Sequence, residues 1–372
     1  MEAIKYYNTS RIDKTNARIR ITFGRRSNGK TTAVLLKGYK KAINSMNDRQ
    51  EQIMYVRRWD DELKPKCDIN KLFDGILKIV DVEADTKGKY NTIIYKSRKF
   101  YFAKIEDTKI VDVCLKPFCL TMALSQNEHY KSVQYPDVTT ICFDEFLSEN
   151  HQYLPNEYSR LKSVLSTVIR QRKDVEVHLL GNTVDRNSIY WNEFRLVEIV
   201  KKMKEGELYH YIPKNKHKTD IAIEWAESSI DANGEAINVY TDFDDERPDM
   251  INAGEWDVED YPHLPFSYNQ NDILFIFFIE FNSELFQCEI IEKYEKAYIY
   301  IHRKTTPLQM PEDDLIFGNN PTGLPNYSIN IFKPENRAAR KICELFHYNK
   351  VFYQDNLVGD SVHAFLKWCE QN

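Results

Sequence analysis

From Arg18 onward Ile19, Ile21 and Phe23 alternate with Arg18, Arg20 and Thr22, which predicts a strand running directly into Gly24. After a short loop the run Thr32-Ala33-Val34-Leu35-Leu36 continues as a helix, and Gln52 to Val56 reads as a second strand closed by Arg57 and Arg58. Between Thr92 and Val113 three short apolar runs are separated by turn-like polar clusters, the pattern of an antiparallel insertion. Its tips carry Lys87, Lys89, Lys96, Arg98 and Lys99. Val138 to Phe143 is a further apolar strand, ending in Asp144-Glu145. Pro155 opens a helix in which Leu161, Val164, Leu165 and Val168 recur at helical spacing, and which ends at Arg170-Gln171-Arg172-Lys173. Val175, Val177, Leu179 and Leu180 form the next strand, closed by Gly181-Asn182-Thr183. Strand and helix patterns in alternation predict one α/β domain over residues 1–198.

The pattern then changes. Lys201-Lys202-Met203-Lys204 and Lys214 to Lys218 are basic, Asp242, Asp244, Asp245 and Glu246 are acidic, and Pro248, Pro262 and Pro265 punctuate the run. These features predict a linker or small lid at 199–262. From Ile273 to Ile301 strand-like segments turn at Asn282-Ser283 and near Lys293 to Lys296. Two helices, Pro334 to Phe346 and Asp360 to Trp368, close a smaller α+β domain over 263–372.

A chain of 372 residues, 42% hydrophobic and 13% aromatic, has enough apolar surface for two ordered domains. Its net charge of −5 gives no global nucleic-acid signature, so any DNA contact has to come from a local basic patch. The loop around Lys96 to Lys99 is one candidate grip. Seven widely scattered cysteines argue for a reducing compartment, with Cys114 and Cys119 as buried thiols and not zinc ligands. The opening MEAIKYYNTSRIDK lacks the apolar core of a signal peptide, and Ile273 to Ile279 is far shorter than the ~20 residues of a membrane helix. A cytoplasmic protein without a membrane partner is expected.

Residues 24–31 read GRRSNGKT, a complete phosphate-binding loop of the form G-x-x-x-x-G-K-[ST] between the predicted strand and helix. In that setting Gly24 and Gly29 let backbone amides turn onto the phosphates of ATP, and the helix N-terminus favours the anion. Lys30 reaches the β and γ phosphates as a point charge, and the Thr31 hydroxyl is offered to Mg2+. Arg26, Ser27, Asn28 and Thr32 complete the expected nucleotide-binding set. Arg26 is either a cis sensor of phosphate or a solvated charge.

An apolar strand ending in two acids is the natural complement of such a loop. Asp144 then holds Mg2+ through its water shell while Glu145 polarises the attacking water as general base. The rival Ile110-Val111-Asp112 lacks the second carboxylate. Asn182 follows an apolar strand, where a polar sensor of the γ-phosphate is expected or where a plain turn suffices. Arg170 and Arg172 end a helix, which dipole complementarity alone explains. The same placement suits an arginine finger offered to a neighbouring subunit.

In order, FGRRSNGKT, IMYVRRWDDEL, YPDVTTICFDEF, YLPNEYSRLKSVLSTVIRQRKD and, more weakly, ARKICELFHYNKVFYQDNL resemble the DNA-packaging ATPases of small tailed phages of the phi29 type. The resemblance runs through most of the first 185 residues and is patchy beyond. It implies a P-loop ATPase domain of the additional-strand, catalytic-glutamate type, followed by a linker and an α+β domain similar to a ribonuclease-H-like nuclease without its catalytic acids. Glu280, Glu284 and Glu289 form no recognisable two-metal spacing, so no nuclease activity is expected. The resemblance further implies a homomeric ring of five subunits, driving double-stranded DNA through a portal into a procapsid in the host cytoplasm. Some members of the family use a packaging RNA. Among residues it implies Arg170 as the finger acting in trans, Arg172 as the weaker choice, and Lys131 as a second basic residue offered across the subunit boundary.

Two rival readings remain, a different P-loop motor such as a helicase and a nucleotide-gated adaptor acting as a switch. One departure stands out: Arg18 and Arg20 lie on a strand that a doubly covered sheet would make apolar, which predicts a face that is wet or packed on a neighbour.

Overall fold

The computed structural model describes residues 6–126, 133–183, 185–212, 220–227, 258–309, 312–319 and 323–371. The chain forms two compact units, the first from residues 1–148, 156–184 and 203–255, the second from 149–155, 185–202 and 256–372. No helix among the described residues is long and apolar enough to cross a membrane.

Ten strands build the sheet of the first unit: β1 (Ile19–Gly24), β2 (Gln52–Arg57), β3 (Thr92–Lys96), β4 (Lys99–Glu106), β5 (Lys109–Val113), β6 (Cys119–Ala123), β7 (Val138–Asp144), β8 (Glu176–Asn182), β9 (Leu208–Tyr211) and β10 (Ile221–Trp225). Their order is β3-β4-β6-β2-β7-β8-β1-β10-β9, with β5 paired to β4. From β6 to β10 the neighbours are parallel, and β3, β4, β5 and β9 add antiparallel pairs at the two ends. The strand β8 lies between β1 and β7, so the glycine-loop strand and the acid-tipped strand are not neighbours. β2, β7 and β8 are buried along nearly their whole length, as a parallel sheet covered on both faces requires.

The helix Lys30–Asn44 turns Val34, Leu35, Tyr39 and Ala42 inward. They join Ile53, Tyr55, Phe100, Phe102 and Phe118 in the main core. Gly38 is required there, because a Cβ at that position would lie 2.4 Å from the Ile53 side chain. Phe102 and Phe118 stack with centroids 4.3 Å apart, and each fully buried phenylalanine contributes roughly 1.5–3 kcal/mol.

Two expectations are corrected. Part of the linker expected at 199–262 is sheet: Ile221-Ala222-Ile223-Glu224-Trp225 is buried throughout as β10 and pairs in parallel with β1, while β9 pairs with β10. Four apolar side chains around one buried carboxylate, Glu224, to which Tyr7 donates, give enough burial for a strand even between charged stretches. Likewise the boundary at 198 gives way, since 149–155 and 185–202 pack with the C-terminal residues. The basic residues Lys214 to Lys218 and the acidic cluster at Asp242 to Glu246 lie outside the described residues.

The second unit carries β11 (Ile273–Phe281), β12 (Glu284–Lys293), β13 (Lys296–Arg303), β14 (Ile316–Gly318), β15 (Tyr327–Ser328) and β16 (Val351–Tyr353), in the order β15-β14-β11-β12-β13-β16. Helices Arg337–His347 and Asn356–Gln371 cover it through Ala339, Ile342, Val358, Val362 and Phe365, packed on Phe277, Ile279, Phe286, Ile299 and Ile301. The outlying segments are held by a buried polar knot. His151 contacts Asp185 at 3.0 Å and Asp360 at 3.3 Å. Asn187 donates to Asp360 at 2.6 Å, and the Trp191 indole donates to the Asp185 carbonyl at 3.1 Å. Burial works against charge on His151, but Asp185 and Asp360 outweigh it and push its pKa up to about 10.

Candidate nucleotide site

The turn from β1 into the helix Lys30–Asn44 places Gly29 at φ 89°, left-handed, as the helix N-cap. Glycine adopts that conformation without strain. The Lys30 ammonium is buried among oxygens alone: the carbonyls of Gly24 at 3.2 Å and Arg25 at 2.6 Å, and the side-chain oxygens of Asn28 at 3.0 Å and Asn182 at 3.4 Å. Burial lowers its pKa to about 7, with Asp144 opposing the shift. A cation surrounded by neutral oxygens is electrostatically unfinished, and a phosphate would complete it.

The Thr31 hydroxyl donates to Asp144 Oδ1 at 2.9 Å, which joins the glycine loop to the tip of β7. Tyr55, on β2, donates to Asp144 Oδ2 at 2.9 Å. Burial raises the Asp144 pKa despite Arg57, Thr31 and Tyr55, while burial and the Asp144 charge keep Tyr55 a protonated donor. A hydroxyl and a buried carboxylate side by side are hard oxygen ligands of the kind a magnesium ion takes.

Glu145 follows at φ 56°, with its side chain 55% exposed. Arg57 Nη2 donates to its carboxylate at 2.6 Å and also bonds Glu62. Arg57 further lies 3.8 Å from Asp144. Burial opposes its charge, but the surrounding Tyr55, Glu62, Glu145 and Asp144 hold the guanidinium well above its usual pKa.

Of the sequence-predicted residues, Gly24, Asn28, Gly29, Lys30, Thr31, Asp144 and Asn182 therefore meet through contacts within this unit. Thr32 lies in the first turn of the helix, and Arg26 and Ser27 on the exposed part of the loop. Asn182 comes in by register, since β8 pairs it with Gly24 of β1. Arg170 is exposed just past the helix Glu157–Ile169 at φ 50°, its Nε 3.4 Å from the Thr167 carbonyl. Arg172 differs: it donates to the carbonyls of Tyr135, Pro136 and Val168. Lys131 lies outside the described residues. Asp112 stands on β5, which is exposed and pairs only with β4. In the basic tip, Arg98 is paired to Asp60 while Lys96 and Lys99 are exposed.

Of the two alternatives for β1, a face that is wet or one packed on a neighbour, the wet one is corrected. Arg20 is buried and pairs with Asp13 and Glu176, and Glu176 further accepts from Lys37 and Lys41, each at 2.7 Å. Asp13, Glu176 and His178 are the only group of three potential metal ligands among the described residues. Arg20, Lys37 and Lys41 already supply three positive charges to two carboxylates there, so a metal ion would be repelled. In the second unit Glu284 is bound by Lys201 at 3.2 Å and Ser361 at 3.0 Å, and Glu289 by Tyr268, His302 and Gln287.

Residue-by-residue reading had given Tyr55, Arg57, Arg58, Glu62 and Glu157 no roles. The available signal was the pair Arg57-Arg58 ending an apolar strand, since two guanidiniums there must find buried acceptors.

Comparison with known proteins gives the family of the chain. Relatives include the DNA packaging protein of Bacillus phage phi29, 30% identical over 204 residues that cover 54% of each chain. That of Bacillus phage B103 is 32% identical over 187 residues, 50% of each chain. The matched part thus spans about half the length of these relatives. A solved chain described as the bacteriophage Phi-29 viral genome packaging motor assembly shares the fold, with a TM-score of 0.52 at 22% identity over 97% of this chain and 98% of its own. Residues 1–215 match the family described as Podovirus DNA encapsidation protein (Gp16), and the chain belongs to that family.

Proposed function

We propose that this protein is an ATPase that drives double-stranded DNA through a portal into a preformed procapsid in the host cell, working as a homomeric ring. The observation that carries the reading is the Thr31–Asp144 hydrogen bond of 2.9 Å, which brings the phosphate loop to the acid-tipped strand. The strand β8 between β1 and β7 supports assignment to the additional-strand, catalytic-glutamate class of P-loop ATPases. Family membership supports packaging as the work done. A pentameric ring is inherited from the family resemblance, and some members of that family use a packaging RNA.

In this mechanism the loop amides and Lys30 bind the triphosphate, and the positive charge of protonated Lys30 stabilises charge as it develops on the γ-phosphate. Magnesium, held by Thr31 and Asp144, would neutralise the β and γ oxygens when bound. Glu145 accepts the proton of the attacking water, which requires its carboxylate to leave Arg57. Asn182, beside Lys30, reports the γ-phosphate to β8. Arg170, exposed at the end of its helix, is offered to the phosphate bound by the next subunit, and Lys131 is a second candidate for that boundary. Sequence-independent contacts to DNA phosphates would transmit the resulting motion, so grip weakens with salt.

The test is ATP turnover by the full chain with and without linear duplex DNA, with Glu145→Gln as reference. Turnover that rises with intact duplex and disappears in the variant supports the motor. Unwinding of a forked duplex would replace it with a helicase, and tight retention of nucleotide with negligible turnover would replace it with a switch.

A further inference from the structure

Arg58 and Glu157 are almost completely withdrawn from water, their side chains 7% and 0% exposed. Burying an ion pair gives little net stability, because desolvation cancels most of the attraction, so its presence beside an open site calls for another reason. The donors of Arg58 are divided between two elements. Nε faces both Glu157 oxygens, at 3.1 and 2.9 Å. Nη1 donates to the Glu145 carbonyl at 3.1 Å and Nη2 to the Phe146 carbonyl at 2.6 Å. One rigid plane thus holds the first residue of the helix Glu157–Ile169 and the backbone of the turn that carries Glu145. Only guanidinium offers donors in that fixed fork; an ammonium is a single point.

Both ends of this arrangement are conformationally demanding. Glu145 has φ 56°, a region that disfavours side chains, and needs outside bonds to keep it. Asn156, the N-cap of the helix, makes no side-chain cap and is itself left-handed, and Glu157, the first residue of the helix, is bound by Arg58. Thirteen residues later the same helix ends at Arg170. A helix of this length moves as a rod, and a displacement of its first turn is carried to its last.

We propose that Arg58 and Glu157 are a positioning pair that makes the Glu145–Phe146 turn and the helix ending at Arg170 move as one body. The water-activating group of a subunit and the arginine it offers its neighbour are then set together. The functional side of this inference rests on the roles given to Glu145 and Arg170 above; the mechanical side rests on these four hydrogen bonds from the Arg58 side chain.

Arg58→Lys and Glu157→Gln in the full chain test it. Hydrogen exchange of the nucleotide-free protein should speed up together at Glu145–Leu147 and at Glu157–Leu161, and kcat for ATP should fall by about a hundredfold, the cost of small misplacement. KM for ATP should stay unchanged, because Lys30 and the loop amides are untouched. Faster exchange at one segment alone overturns the proposal, and so does a kcat loss no larger than the loss of folded protein. If Arg58→Lys does not fold, Glu157→Gln, which keeps the shape and removes the charge, carries the same comparison. Absence of turnover in the unsubstituted chain would sink the hydrolytic reading, while the exchange experiment would still decide the mechanical coupling.

Discussion

Replacing Glu176 by Gln perturbs the ion cluster behind the phosphate loop without altering its shape. Glu176 bonds Lys37 and Lys41 at 2.7 Å each, bonds Arg20, and accepts from Thr140 at 3.3 Å. Three cations against Asp13 and Glu176 leave a local charge of +1; without the Glu176 charge it becomes +2. Breaking a buried pair costs about 3–5 kcal/mol. Lys37 and Lys41 are 22% and 30% exposed and recover some hydration, which points to the lower end, about 3 kcal/mol. For a unit of this size the melting temperature then drops by about 6–12 °C. The assay is calorimetric melting at pH 7.5 beside the unsubstituted protein, and a drop below about 2 °C would refute the reasoning. The pH dependence is a second check. Burial opposes ionisation of Glu176, but His178, Lys41 and Lys37 prevail and hold its pKa far below the usual carboxylate range. A depressed pKa gives stability that is complete above the unfolded value of about 4.3 and is lost as pH falls below it. The gap between the two proteins must therefore narrow on acidification below about pH 4; a gap that widens contradicts the assignment.

Two further outcomes follow from the site. With its pKa near 7, Lys30 is largely neutral at pH 8 and is recharged by a bound triphosphate, so nucleotide binding should take up about 0.9 proton at pH 8 and about 0.1 at pH 6; calorimetry in buffers of different ionisation heat reads this, and equal heats at pH 8 would refute it. Arg170→Ala should bind ATP normally yet turn it over about a thousandfold more slowly, and mixing it with Glu145→Gln subunits should restore part of the rate, each supplying what the other lacks; a mixture as inactive as its parts would remove the role in trans.

What the linear sequence revealed follows from the range of the interactions concerned. The phosphate loop is local: Gly24 to Thr31 carry their chemistry within one turn, and β1 and β7 announce themselves by short apolar patterns. Arg20 looked wet because its partners are distant, Asp13 seven positions earlier and Glu176 on β8, and no periodicity joins them. The role of Arg58 is hidden for the same reason, its acceptor Glu157 being 99 residues away. The five residues of β10 are four apolar side chains and Glu224 in a charged stretch, and pairing with β1 and β9 makes them a strand. Helical spacing did locate the helix ending at Arg170, but not which of Arg170 and Arg172 stays exposed. That depended on the Tyr135 and Pro136 carbonyls, which claim Arg172.

The interleaving of the two units has a consequence for how such a chain is made and dissected. Moving along it, residues pass from one unit to the other at 148/149, 155/156, 184/185, 202/203 and 255/256. No single cleavage point therefore releases both units whole. A fragment ending at 198 forfeits β10 and leaves the edge of β1, with Ile19, Ile21 and Phe23, open to pairing with other chains. During synthesis His151 emerges some two hundred residues before Asp360, its partner, so the knot it belongs to closes only after Asp360 has left the ribosome.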